Sequence, residues 1–144
     1  MKLFTIGFTK KSAEEFFSRL LNAGVKRVVD IRLNNTSQLA GFAKASDLKY
    51  FLHAIGGIDY IHVAALAPTQ DILDDFKKSK GSWEQYELAF NALIADRRVS
   101  ETVPKDILDS GCLLCSEHTP EHCHRRLVAE YLRDRWGDIE IVHL

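Results

Sequence analysis

Two rhythms of apolar and polar positions take turns along the chain. Leu3–Ile6 is a short apolar run that stops at Gly7, the pattern of a buried strand. Phe16, Phe17, Leu20 and Leu21 then recur at helical spacing. They follow Ser12-Ala13-Glu14-Glu15, a capping box in which Ser12 caps the helix and Glu15 reaches back, and Gly24 ends the helix. Val25–Ile31 is rich in β-branched residues and predicts a second strand. Asn34–Ala45 predicts a loop, Asp47–Ile55 a short amphipathic helix stopped by Gly56-Gly57, and Ile58–Val63 a third strand. Beyond Pro68, Asp71–Lys78 has a helical pattern, and Ser82-Trp83-Glu84-Gln85 is a second capping box opening a helix through roughly Ala95.

Pro104–Leu108 predicts one more short helical piece, and the dense apolar run Gly111–Ser116 a fourth strand. Thr119-Pro120-Glu121 combines a capping hydroxyl, a proline at the first helical position and an acid. It predicts a helix from there to Trp136, closed by Gly137, with Ile139–His143 as the last strand. Alternating strands and helices imply a single three-layer α/β domain over residues 1–144, with a mainly parallel sheet of about five strands and helices on both faces. Ligands of such folds sit beyond the carboxyl ends of the strands.

Composition narrows the class. The chain has 144 residues, 46% hydrophobic and 27% charged, which suits one packed core and argues against disorder. A formal net charge of -1 removes any bulk drive toward nucleic acid or membrane, while leaving room for a local basic cluster. No apolar run is long enough to span a bilayer, and the first residues read directly into a strand, so the expected location is the cytoplasm, without membrane contact. Three cysteines, an odd number, fit a reducing compartment better than a disulfide framework.

Four groups converge on the carboxyl edge if the sheet is parallel. Strand one ends at Gly7-Phe8-Thr9, strand two at Asp30-Ile31-Arg32 and strand four at Cys115-Ser116-Glu117-His118, and the next helix carries His122-Cys123-His124-Arg125-Arg126. In that helix Leu127, Val128 and Tyr131 define the buried face, with His124 near its middle, Cys123 on its margin, and Arg125 and Arg126 flanking it. A helix N-terminus together with Arg32, Arg125 and Arg126 makes an anion site. The same field lowers a thiol's pKa, so Cys123, or failing that Cys115, is the candidate nucleophile, with His124 and Glu117 handling protons.

Plainer readings stand beside these. Cys123 and His124 also fit as packed core residues, and Asp30–Arg32, two apart in a strand, fits either a structural salt bridge or a pair that aims Arg32 at a ligand. Thr9 and Ser37 supply hydroxyls for a ligand or for turns. Trp83 and Tyr86 read as core, and Arg97-Arg98 and Lys77-Lys78 as solvated surface. Cys112-Leu113-Leu114-Cys115 is set aside as a redox pair, because strand positions three apart point to opposite faces. Zinc at Cys115, Cys123 and His124 is a competing use of the same side chains, although nothing in the sequence requires a cofactor. Walker, GxGxxG, GxSxG and HExxH motifs do not occur. The cysteine-phosphatase spacing also fails, since the residue six beyond Cys123 is Ala129 and beyond Cys115 is Glu121.

These pieces resemble the family catalogued as domain of unknown function 488. The resemblance rests on Thr5-Ile6-Gly7, Val29-Asp30-Ile31-Arg32, Gly41-Phe42, Leu113-Leu114-Cys115-Ser116-Glu117, Cys123-His124-Arg125-Arg126 and Val142-His143, in the family's order over nearly the whole chain. Many relatives carry His or Tyr where this chain has Phe8, Ser at Thr9, and proline near Asn35, which removes a polar group from position 8. The resemblance implies an α/β fold and a shared polar site carried by Arg32, Glu117, Cys123, His124 and Arg125, but no reaction.

The leading expectation is therefore a small cysteine-dependent enzyme acting on a phosphate-bearing substrate, such as a nucleotide or nucleic acid, held by Arg32, Arg125 and Arg126 with help from Asp30, Thr9 and Ser37. The alternatives are a non-catalytic nucleotide or nucleic-acid binding module and a metal-binding protein using Cys115, Cys123 and His124.

Overall fold

Five parallel strands form one sheet in the order β3-β2-β4-β1-β5: β1 is Lys2–Gly7, β2 Arg27–Asp30, β3 Asp59–His62, β4 Gly111–Cys115 and β5 Glu140–His143. The computed structural model describes residues 1–36, 41–77 and 81–144. The helices are α1 (Ala13–Ala23), α2 (Ala45–Gly56), α3 (Gln70–Lys77), α4 (Trp83–Asp96), α5 (Val99–Thr102), α6 (Lys105–Leu108) and α7 (His124–Trp136).

The period-two alternation of the strands sorts the core into two layers. Cys112 and Leu114 of β4 and Val28 of β2 pack with Phe16, Leu20 and Leu52 under α1 and α2. Leu113 and Val29 point the other way, into Phe90, Leu127, Val128 and Leu132 under α4 and α7. The arrangement is the expected three-layer α/β domain, with helices on both faces.

Local chemistry sets most boundaries. Ser12 accepts from the Glu15 backbone N–H at 3.1 Å, and Gly24 ends α1 in the left-handed region, at φ 77°. Glu15 turns to Arg19 at 2.7 Å, so Ser12 forms half of the expected capping box. At α4 the box is complete: Ser82 Oγ accepts from Gln85 N–H, and Gln85 Oε1 from Ser82 N–H.

Helix α7 departs from expectation. It begins at His124 with Cys123 as its N-cap, and Thr119–Pro120 lie in a bend outside it. One bond within that turn and two attachments to the end of β4 hold it in place. The Cys123 N–H donates to the Pro120 carbonyl at 3.2 Å, the Arg125 guanidinium to the Glu117 carbonyl at 2.6 Å, and Cys123 is bonded to Cys115. Helix from Thr119 would rise about 1.5 Å per residue and carry Cys123 away from β4. Gly7 belongs to the same device: a Cβ there would collide with the Glu117 carbonyl oxygen, so only glycine lets the β4–α7 loop pass over the end of β1.

Chain direction also reverses here. From β1 the chain passes through α1 to β2 and β3 on one face, whereas from β4 it passes through α7 over β1 to β5 on the other. Such a reversal opens a crevice at the carboxyl edge.

Candidate functional site

A cavity of about 340 Å³ occupies that crevice. Phe8 and Thr9 follow β1, Arg32, Leu33 and Asn34 follow β2, and Cys115, Ser116 and Glu117 close β4. His122 and Cys123 come from the turn that leads into α7 and His124 opens the helix, while Phe76, Lys77, Trp83 and Tyr86 form the outer wall.

Cys115 and Cys123 form a disulfide across a separation of eight residues, their Cα atoms 7.3 Å apart. This corrects the expectation of free thiols drawn from the odd cysteine count. The physical reason is the short turn that folds the N-cap of α7 back onto the end of β4. Cys112, the remaining cysteine, lies on the opposite face in the apolar layer, where burial pushes its thiol well above the ordinary range.

His124 is held between the strand end and the sulfurs. Nε2 lies 2.7 Å from the Ile31 carbonyl oxygen, and Nδ1 lies 3.6 Å from Cys115 Sγ. A carbonyl only accepts, so Nε2 carries the hydrogen and Nδ1 presents its lone pair to sulfur. Burial lowers the imidazole's pKa to about 4, outweighing the Ile31 hydrogen bond that favours the charged form; Arg125 pushes further down. The ring is therefore neutral at pH 7, an acceptor of hydrogen bonds and a poor acceptor of protons. Cys115, Cys123 and His124 offer three ligand atoms within 4.8 Å of one another, all on buried residues.

Arg32 lines the cavity, but its Nε and Nη2 donate to the two carboxylate oxygens of Asp30 at 2.9 and 2.8 Å. Asp30 also accepts from the Arg32 backbone N–H and, at 2.6 Å, from the Tyr60 hydroxyl, so this carboxylate is fully occupied beneath the site. Burial, and then Asp30, raise the Tyr60 pKa and keep its hydroxyl protonated. Thr9 donates its hydroxyl to the Ser116 carbonyl at 2.8 Å and staples the β1 and β4 ends together. Glu117 is exposed at the cavity rim.

The other two arginines are elsewhere. Arg125 is buried beside Gly7, where desolvation lowers its pKa to about 10, and its guanidinium holds the Glu117 and His118 carbonyls. Arg126 pairs with Glu130 at 3.1 Å and donates to the Glu121 carbonyl. Neither lines the cavity. Ser37 lies outside the described residues, as does Lys78.

Several participants escaped the sequence reading. Trp83 and Tyr86 wall the cavity, with Trp83 stacked on Tyr86 at 4.9 Å and on His122 at 5.0 Å between ring centroids. The signal was available: the Ser82 capping box places both rings on the first turns of a helix whose buried face continues through Phe90. Lys77 reaches the cavity rim although it reads as surface. Arg97, also read as solvated, donates to the Ala65 and Ala67 carbonyls at 2.9 and 2.7 Å and ties the loop after β3 to α4. No local pattern announces that contact.

Among the described residues, no helix is long and apolar enough to cross a membrane. The sequence profile of the family described as "Domain of unknown function DUF488" matches residues 12–132. No curated protein and no solved structure matches the chain.

Proposed function

The chain belongs to the DUF488 family, and because that membership names no reaction, we propose from the site's chemistry that it is a cysteine-dependent enzyme whose Cys115–Cys123 pair cycles between dithiol and disulfide against a small anionic substrate. The observation that carries this reading is the closure of the two sulfurs at the floor of a cavity, at the carboxyl edge of the sheet.

The two sulfurs have different surroundings. Cys123 caps α7, a helix of 13 residues, so its thiolate lies in the positive field of the helix N-terminus. Cys115 faces the bare Nδ1 of His124, which accepts the S–H of a thiol and offers nothing to a thiolate. Cys123 is thus the attacking sulfur and Cys115 the resolving one. In the reduced centre, Cys123 attacks one sulfur of a substrate disulfide, forming a mixed disulfide and releasing a thiolate. The Cys123 thiol proton passes to that leaving group, with the Glu117 carboxylate at the rim as its carrier. Cys115 then gives up its proton, attacks Cys123 and releases the second substrate sulfur as a thiol. Two substrate thiols and the Cys115–Cys123 disulfide result, and a low-molecular-weight thiol restores the dithiol.

The anionic class rests on Lys77, Arg32 and the α7 N-terminus around one cavity. A phosphate-bearing disulfide combines both requirements. The test is alkylation against pH after phosphine reduction, resolved by peptide mass spectrometry, alongside exchange with a phosphate-bearing disulfide. Cys123 is expected to label with an apparent pKa below the usual ~8.5, and Cys123→Ser to abolish exchange. A reduced pair that never re-forms on adding the disulfide overturns the enzyme reading. Salt-sensitive phosphate binding without exchange would leave a binding module.

A further inference from the structure

We propose that the reduced centre is a zinc site, with Cys115 Sγ, Cys123 Sγ and His124 Nδ1 as its three protein ligands and the fourth position open to the cavity.

Two features of geometry and one of donor chemistry support it. First, the imidazole is already oriented for a metal. Its Nε2–H is anchored on the Ile31 carbonyl at 2.7 Å, which fixes the tautomer and leaves Nδ1 as the donor atom. Backbone-anchored histidines of this kind are the usual outer-shell arrangement of metal sites. Second, the spacing fits. Ligands about 2.3 Å (sulfur) and 2.0 Å (nitrogen) from a tetrahedral ion stand about 3.5 Å apart. The Cys115 Sγ–His124 Nδ1 distance is 3.6 Å. Third, the donor set of two thiolates and an imidazole is borderline-soft, which favours zinc over magnesium or calcium.

The ligands reach this point from two elements that the fold holds rigidly. Cys115 ends the central strand β4, and Cys123 and His124 open α7, whose first turn is tied down through Arg125 and the Glu117 carbonyl. Two sulfurs on one tetrahedral ion lie about 3.8 Å apart, so the disulfide and the metal exclude each other. A low-molecular-weight thiol supplies the electrons. Two such thiols give one external disulfide, two electrons and two protons. The Cys115–Cys123 bond takes up the electrons, the two sulfurs bind the zinc ion as thiolates, and the two protons go to solvent. Oxidation reverses this and expels the ion.

Three protein ligands with an open fourth position distinguish such a centre from a closed structural site. Thr9, Ser116 and Glu117 line the same cavity as the three ligands. Water or the anionic end of a ligand would complete the coordination.

The experiment uses the full chain in two states, phosphine-reduced under anaerobic conditions and oxidised. Each is titrated with zinc in competition with a chromophoric chelator, and cobalt is substituted for spectroscopy. The reduced chain is expected to take about one zinc per molecule, to release about two protons, and to show sulfur-to-cobalt charge transfer. The oxidised chain is expected to bind none. Cys115→Ser, Cys123→Ser and His124→Gln should each weaken binding by at least tenfold, while Cys112→Ser leaves it unchanged. Equal zinc uptake by the oxidised and reduced wild-type chains, or none by either, overturns the proposal without reference to any variant. Loss of binding in Cys112→Ser with the fold intact would also overturn it. A chain that binds zinc but exchanges no disulfide keeps this inference and loses the enzyme reading; the opposite result does the reverse.

Discussion

Cys112 and Cys115 stand three residues apart on one strand and have opposite fates. Cys112 faces the layer under α1 and α2, among Phe4, Val28 and Leu114, where burial pushes its pKa up and outweighs the Arg125 charge that favours a thiolate. Cys115 faces the other layer at the strand's last residue, meeting His124 Nδ1, Cys123 and a solvent-accessible cavity. Both are almost fully buried, at 0% and 4% exposure, so burial alone does not separate the thiol of the apolar layer from the sulfur at the cavity. Position does. The strand interior is covered on both faces by apolar side chains, whereas the carboxyl edge, where chain direction reverses, is where polar groups can be both held and reached.

The comparison is best broken by attacking the polar edge. Asp30→Asn preserves shape but removes the charge that holds the buried Arg32 guanidinium. It is expected to cost about 3–5 kcal/mol in urea denaturation, because an uncompensated buried charge remains. A cost below about 1 kcal/mol would mean the edge is solvated and the contrast with the interior is false.

Acid probes the same edge through His124. Its folded pKa of about 4 lies below the ordinary histidine value of 6.5, so between these values the unfolded chain binds more protons. Stability is therefore complete above about pH 6.5 and falls as the pH drops toward 4, by about 3 kcal/mol in all. His143, also lowered chiefly by burial, adds to the fall with the same sign. The difference between wild type and His124→Gln in denaturation at pH 7 and pH 4.5 isolates the His124 part. Identical slopes for the two proteins would remove His124 from the neutral, buried role.

The interior side is sharpened by the mildest change. Cys112→Ser places a hydroxyl in the apolar layer and is expected to cost about 1–3 kcal/mol while leaving chemistry at Cys115 and Cys123 untouched. In the folded chain Cys112 should stay unlabelled by alkylating reagents after reduction and label only on unfolding. Rapid labelling in the folded state would place it within solvent reach.

Much of the architecture is written in short-range pattern. Apolar runs, helical spacing and capping residues place five strands, α1, α2, α4 and the end of α7 close to where they lie, and the parallel α/β class follows from their alternation. The pairing of Asp30 with Arg32 and the core position of Cys112 follow from the two-residue strand period. The convergence of Thr9, Arg32, Cys115, Glu117, Cys123 and His124 follows from one further step, that parallel strands end on the same edge.

The tertiary structure decided what local pattern could not. Thr119-Pro120-Glu121 is a strong helix start by its own residues, yet α7 waits until His124, because the disulfide and the Arg125 contacts bind the turn to distant strand ends. Arg125 and Arg126 are neighbours in sequence, yet one is buried beneath the loop and the other pairs outside with Glu130, since successive helical residues point about 100° apart. Which nitrogen of His124 faces sulfur depends on the Ile31 carbonyl, a partner 93 residues away. Propensity and periodicity act over a few residues and so are legible in the chain; the direction of a guanidinium, the tautomer of an imidazole and the meeting of two sulfurs depend on groups brought together only when the sheet closes.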